Sequence, residues 1–151
     1  MRIQRLDGCH FELDFVAYQF PEATDYWDGN WLMVAISARN PEGAWRTTDP
    51  SLLSFEARQL VEWLDAFADA NAPPRLSFIE PNLSFEAVTA SEMTALRVYF
   101  ELESRPAWAE PISADEFWLD LPCSPEDLRS AARALRAQLE KFPVRGAPDP
   151  D

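Results

Sequence analysis

The chain has 151 residues with 13 Lys and Arg against 26 Asp and Glu, giving a formal net charge of −13; 47% of residues are hydrophobic and 13% aromatic. The length suits one domain, and the apolar content is enough for a core, which excludes global disorder. The charge repels nucleic acid and anionic membrane surfaces and favours a basic partner.

From His10 to Phe20, Phe11, Leu13 and Phe15 alternate with Glu12 and Asp14, the period-2 pattern of a half-buried strand. Pro21 weakens any continuation, so residues 21–26 read as a loop, and Asp28-Gly29 reads as a two-residue type I′ turn. Asn30 to Arg39 is apolar enough for a central strand. Asn40-Pro41-Glu42-Gly43 is a turn, and Ala44 to Thr48 is expected to complete a hairpin. Ser54 is the expected N-cap of a first helix running to about Asn71. Leu60, Val61, Leu64, Phe67 and Ala68 form its apolar stripe, and Pro73-Pro74 stops it.

Arg75 to Glu80 and Leu83 to Thr89 read as two short strands joined through Glu80-Pro81-Asn82. Met93 to Glu103 alternates Leu96, Val98, Phe100 and Leu102 against Arg97, Tyr99, Glu101 and Glu103, so one face is core and the other wet. Arg105 to Pro111 is a proline-bearing connection that includes Trp108, and Glu116 to Leu121 is a last strand. Ser124-Pro125-Glu126-Asp127 opens a second helix with an N-cap, a proline at the first helical position and early acids. Leu128, Ala132, Leu135, Leu139 and Phe142 are its buried stripe, Pro143 ends it, and residues 144–151 are expected to be a mobile acidic and proline-rich tail. Neither helix sits in a βαβ alternation. The expected fold class is α+β: a single domain over 1–143, built as a two-layer sandwich in which a mostly antiparallel, curved sheet of six or seven strands carries two helices on one face.

Most common chemistries are excluded by residue type. The four glycines, at positions 8, 29, 43 and 146, are too far apart for a phosphate-cradling loop. With His10 the only histidine, multi-histidine zinc sites are impossible, and His10 and Cys9 on one strand would point to opposite faces and form no thiol–imidazole pair. No G-x-S-x-G elbow is present. The apolar run Trp31 to Ile36 is far short of the ~20 residues of a membrane span, and the N-terminus reads as no signal peptide. A cytoplasmic location with Cys9 and Cys123 as reduced thiols follows as the expectation. No cofactor, metal or membrane contact is expected, and no direct nucleic-acid contact.

Four features remain. Glu101 and Glu103 would lie roughly 7 Å apart on one strand face, the spacing of an acid pair and equally of any solvated face. The Asp25-x-x-Asp28-Gly29-Asn30 cluster lacks the D-x-D-x-D spacing of a calcium loop. Arg129, Arg133 and Arg136, the one basic concentration, are expected to pair with local acids such as Glu126 and Glu140. Six tryptophans are many for this length. If Trp31, Tyr99 and Trp118 share a face with Glu12, Asp14, Glu101 and Glu103, the result is an aromatic, acidic platform of the kind found at protein–protein interfaces.

The segments Tyr18-Gln-Phe-Pro21, Tyr26-Trp-Asp-Gly-Asn-Trp-Leu32, Phe78-Ile-Glu-Pro-Asn-Leu-Ser-Phe85, Val98-Tyr-Phe-Glu-Leu-Glu103 and Pro106-Ala-Trp108 occur in this order. Over roughly residues 10 to 142 the chain resembles the WapI-like immunity proteins. These are small bacterial cytoplasmic proteins that protect a cell from the nuclease domain of its own contact-dependent toxin. The resemblance implies a non-catalytic protein that binds and neutralises a basic toxin domain. The residues first expected to touch that partner are Asp25, Trp27, Asp28, Glu101 and Glu103. A module holding a small ligand between sheet and helices is the alternative, and a carboxylate-dependent hydrolase a third reading.

Overall fold

Alternating apolar residues build two sheets rather than one. The computed structural model describes residues 1–90, 92–109 and 115–150. The strands β1 (Arg2–Gln4), β2 (His10–Tyr18), β3 (Trp31–Asn40) and β4 (Gly43–Leu53) form one antiparallel sheet in sequence order. After α1 (Ser54–Ala68), the strands β5 (Arg75–Ser77), β6 (Leu83–Ala90), β7 (Met93–Phe100) and β8 (Phe117–Pro122) form a second, again in sequence order, and α2 (Pro125–Leu139) follows. The expected single sheet of six or seven strands is therefore corrected to two sheets of four. Each presents one apolar face, and two narrow helical stripes cannot cover both, so the faces bury each other. Phe11 of β2 sits between them, its ring edge-on to Phe85 at 6.0 Å and to Phe100 at 5.8 Å. All three rings are fully buried.

Register carries this pattern across each sheet. Phe11 lies opposite Ala38, Leu13 opposite Ile36 and Phe15 opposite Val34, until a bulge at Val16 shifts the pairing. In the second sheet Phe85 lies opposite Val98, which lies opposite Leu119. β3 is central, as its composition predicts, and β4 runs to Leu53, five residues beyond the expected Thr48.

The helices pack on one another, with α1 also touching β4 and α2 touching β2 and β1, all strands of the first sheet. Their buried residues include those of the two predicted stripes, except Phe142, which is half-buried beyond the end of α2; Ser54, Glu56, Ala57, Trp63 and Ala131 are added. Gln138 of α2 accepts the Phe15 backbone N–H at 2.8 Å and donates to Asp14 at 2.9 Å, occupying hydrogen-bonding groups at the outer edge of β2. The basic face of α2 pairs as expected between Arg133 and Glu126, but Arg136 reaches across to Asp65 of α1 and Arg129 to Asp69, just past its end.

Local chemistry moved three boundaries. Ser54 is the first helical residue rather than the cap: Glu56 accepts the Leu53 N–H at 3.0 Å, freeing the Ser54 hydroxyl to donate to Asn30. α1 ends at Ala68, ahead of Ala70 at φ +56°. β7 ends at Phe100, because Leu102 adopts φ +51° in a 3₁₀ turn over Leu102–Ser104. Of the connection expected over 105–111 and the tail over 144–151, residues 110, 111 and 151 lie outside the described residues.

Candidate functional site

The long connection between β2 and β3 is built around two side chains. Asp25 accepts the backbone N–H groups of Trp27 at 2.9 Å and Asp28 at 2.8 Å, an Asx arrangement that opens the 3₁₀ turn Asp28–Asn30. That turn replaces the expected type I′ hairpin, and Gly29 is close-packed: a Cβ there would lie 3.1 Å from the Ala23 carbonyl oxygen. Asn30, fully buried, donates to the carbonyls of Tyr26 (2.7 Å) and Arg145 (2.8 Å) and accepts from Ser54 and from the Arg145 N–H. Both its donors and its acceptor oxygen are used.

This scaffold holds an aromatic cluster at the surface. Tyr26 stacks on Phe55 at 4.8 Å, and Trp27 stands edge-on to both at 5.3 and 6.1 Å. Trp27 is 50% exposed, and Asp25 and Asp28 are exposed beside it.

Next along the chain, Trp31 lines an open groove of about 420 Å³ with Gln19, Asp49, Pro50, Glu80, Asn82 and Glu103. Four segments converge here: the β2–β3 connection, β4, the 78–82 loop and the turn after β7. Glu56 helps fix the third by accepting the Ile79 N–H at 2.7 Å as well as that of Leu53. Ser104, buried, fixes the fourth; its hydroxyl contacts the carbonyls of Asn82 and Glu101 and accepts the Glu101 N–H at 3.0 Å. The outcome is that Ile79 and Leu102 project at 58% exposure each.

Burial, reinforced by the negative charge of Glu103 and opposed by a hydrogen bond from Thr47, holds the Asp49 carboxyl above its ordinary range. Among the described residues no three His, Cys, Asp or Glu side chains are grouped as metal ligands. The groove acids are thus spread along a surface rather than focused on a point.

The five predicted partner-contacting residues fall into two groups. Asp25, Trp27 and Asp28 lie together on the connection. Glu101 and Glu103 do not share a strand face, because the chain turns at Leu102. Glu101 pairs with Arg105 at 3.1 Å, whereas Glu103 enters the groove and accepts from Asn82 at 3.1 Å. The single aromatic platform is likewise corrected: Trp31, Glu12 and Asp14 belong to the first sheet, Tyr99 and Trp118 to the second. On that second sheet Arg75 stacks over Tyr99 at 4.1 Å, Arg97 over Trp118 at 5.0 Å, and Arg97 grips Asp120 with two hydrogen bonds. Asp49, Glu80 and Asn82 were not singled out from sequence. Glu80 and Asn82 lie in the E-P-N-L segment, whose turn chemistry was visible, but nothing local to Asp49-Pro50 shows that β4 brings it to the same groove.

Other candidates resolve into structure. Cys9 is buried and its thiol is pushed up, first by burial and then by Asp7; burial pushes the Cys123 thiol up to about 11. Neither is poised as a nucleophile. The space between the sheets is filled by Phe11, Phe85 and Phe100, and the groove of about 360 Å³ beside Val61 and Leu139 lies between the two helices.

No helix among the described residues is long and apolar enough to cross a membrane. Comparison with curated proteins returns no match. The model of the family described as "Immunity protein WapI-like family" matches residues 2–143, and on that match the chain belongs to the WapI-like immunity protein family.

Proposed function

We propose that this protein is a non-catalytic immunity protein that binds and neutralises a basic nuclease toxin domain in the bacterial cytoplasm. The observation that carries the reading is that aromatic surface is paired with acids in two places: Trp27 is exposed beside Asp25 and Asp28 on the β2–β3 connection, and Trp31 lines the groove with Asp49, Glu80 and Glu103. A nuclease must present a cationic cleft to its phosphate substrate, so an acidic face with an aromatic centre competes for that cleft. The net charge of −13 adds long-range attraction and speeds encounter. Of the five residues expected from sequence, this reading keeps Trp27, Asp28 and Glu103 as partner contacts; Asp25 is used in shaping the loop and Glu101 in pairing with Arg105.

The test is affinity capture from the native host at low salt, followed by a nuclease assay on the bound polypeptide with and without this protein. The reading expects a basic polypeptide whose nuclease activity is lost when the protein is added. Capture of a polypeptide with activity that the protein leaves untouched would overturn it.

A further inference from the structure

Beyond α2 the chain returns to the β2–β3 connection and closes on it. Arg145 donates from Nη1 to the carbonyl oxygens of Pro21 (2.9 Å) and Ala23 (3.0 Å), with a longer contact to that of Phe20 (3.5 Å). Its guanidinium lies 3.5 Å from the centre of the Tyr18 ring. Tyr18 is itself held, donating its hydroxyl to the Pro143 carbonyl at 2.6 Å and meeting Phe142 edge-on at 5.3 Å. The Arg145 backbone exchanges two hydrogen bonds with the Asn30 side chain. Gly146 then passes so close that a Cβ would lie 2.7 Å from the Tyr26 nitrogen and 2.9 Å from the Asp25 carbonyl carbon, and its φ of +67° disfavours any side chain. These two residues touch the loop at its start, middle and end.

We infer that Arg145 and Gly146 are positioning residues for the partner-binding face: they clamp the 19–30 connection so that Trp27 and Asp28 are held in one geometry before a partner arrives. The inference rests on the immunity reading for the purpose of the loop, but not for the clamp itself. The clamp lies just beyond residue 143, where the family match ends, so it adds to the matched domain. The arginine is spent on carbonyl oxygens and an aromatic face. A planar guanidinium reaches several carbonyls while stacking on a ring; an ammonium group has no such plane. Preorganising a contact loop removes an ordering cost that binding would otherwise meet.

Hydrogen exchange of the full-length protein tests this without any partner. The amides of Ala23, Trp27, Asp28 and Asn30 are hydrogen-bonded within the loop, to Phe20, Asp25 and Trp27, so their exchange reports its order. Arg145→Ala and, independently, Gly146→Ala are expected to speed exchange of these four by about 10-fold or more, leaving the amides of β3 and β7 unchanged. Arg145→Lys is expected to restore only part of the protection. Loop amides that keep wild-type protection in both alanine variants would overturn the inference, as would core amides accelerating by the same factor. Failure of the clamp leaves toxin capture intact, whereas failure of capture with an intact clamp counts against the function alone.

Discussion

Asn30 shows how one side chain can decide the shape of a binding loop. It is fully buried, satisfies two carbonyls, and accepts from Ser54 and from the Arg145 backbone. Asn30→Ala leaves several of these groups unpaired, so a loss of about 2–4 kcal/mol is expected in urea unfolding. Asp49 makes the opposite kind of prediction. Its folded pKa lies above the ordinary 3.8, so ionisation is disfavoured in the fold. Its contribution is most favourable below that value and is lost as pH rises through the folded pKa. Asp49→Asn should therefore be more stable than wild type at pH 7, with the advantage fading as pH falls to about 3.5. Urea midpoints at the two pH values check the sign; an advantage that grows on acidification contradicts it. At this scale the sequence singled out Trp27 and Asp28 as candidate contacts, and both side chains are exposed. Leu102 was not: it continues the apolar alternation of β7, and a left-handed leucine, costing about 1–2 kcal/mol, leaves no mark in local sequence.

Elements were largely readable where one periodicity dominated. The stripes of both helices, the centrality of β3 and the Ser124 cap all follow from spacing and cap chemistry. Boundaries were lost where a competing cap took over, as at the start of α1, where Glu56 accepts the Leu53 N–H. The pairing of the helices separates two kinds of contribution. Leu135 is fully buried in α2, whereas Arg136 meets Asp65 with both side chains well exposed. Leu135→Ala is expected to cost about 2–5 kcal/mol through lost burial and a cavity. Arg136→Ala is expected to cost less than about 1 kcal/mol, with the difference shrinking as salt rises. Equal losses in thermal or urea unfolding would show that the helix pair is held by charge instead of packing.

For the molecule as a whole, period-2 strands establish α+β but not how many sheets they make. Strand alternation is the same whether the covering layer is a helix or another sheet, and only long-range contacts such as Phe11 on Phe85 and Phe100 distinguish the two. The groove has the same origin: Trp31, Asp49, Glu80 and Glu103 come from four separate segments, and no spacing in sequence predicts that they meet. The charge, by contrast, was legible at once and acts at this scale. Association with a basic partner should slow steeply between about 50 and 300 mM salt, as screening shortens the reach of the field.

The most direct test is to titrate the basic polypeptide recovered from the host against three forms of this protein. These are the wild type, the combined variant Trp27→Ala, Asp28→Lys, Glu103→Lys, and the control Leu6→Ala, Met93→Ala, which alters exposed apolar residues at a groove sharing no residue with the acidic one. The account predicts that the combined variant loses about 100-fold or more in affinity, while the control stays within about 3-fold of wild type. Undiminished binding by the combined variant, or a loss confined to the control, would contradict it.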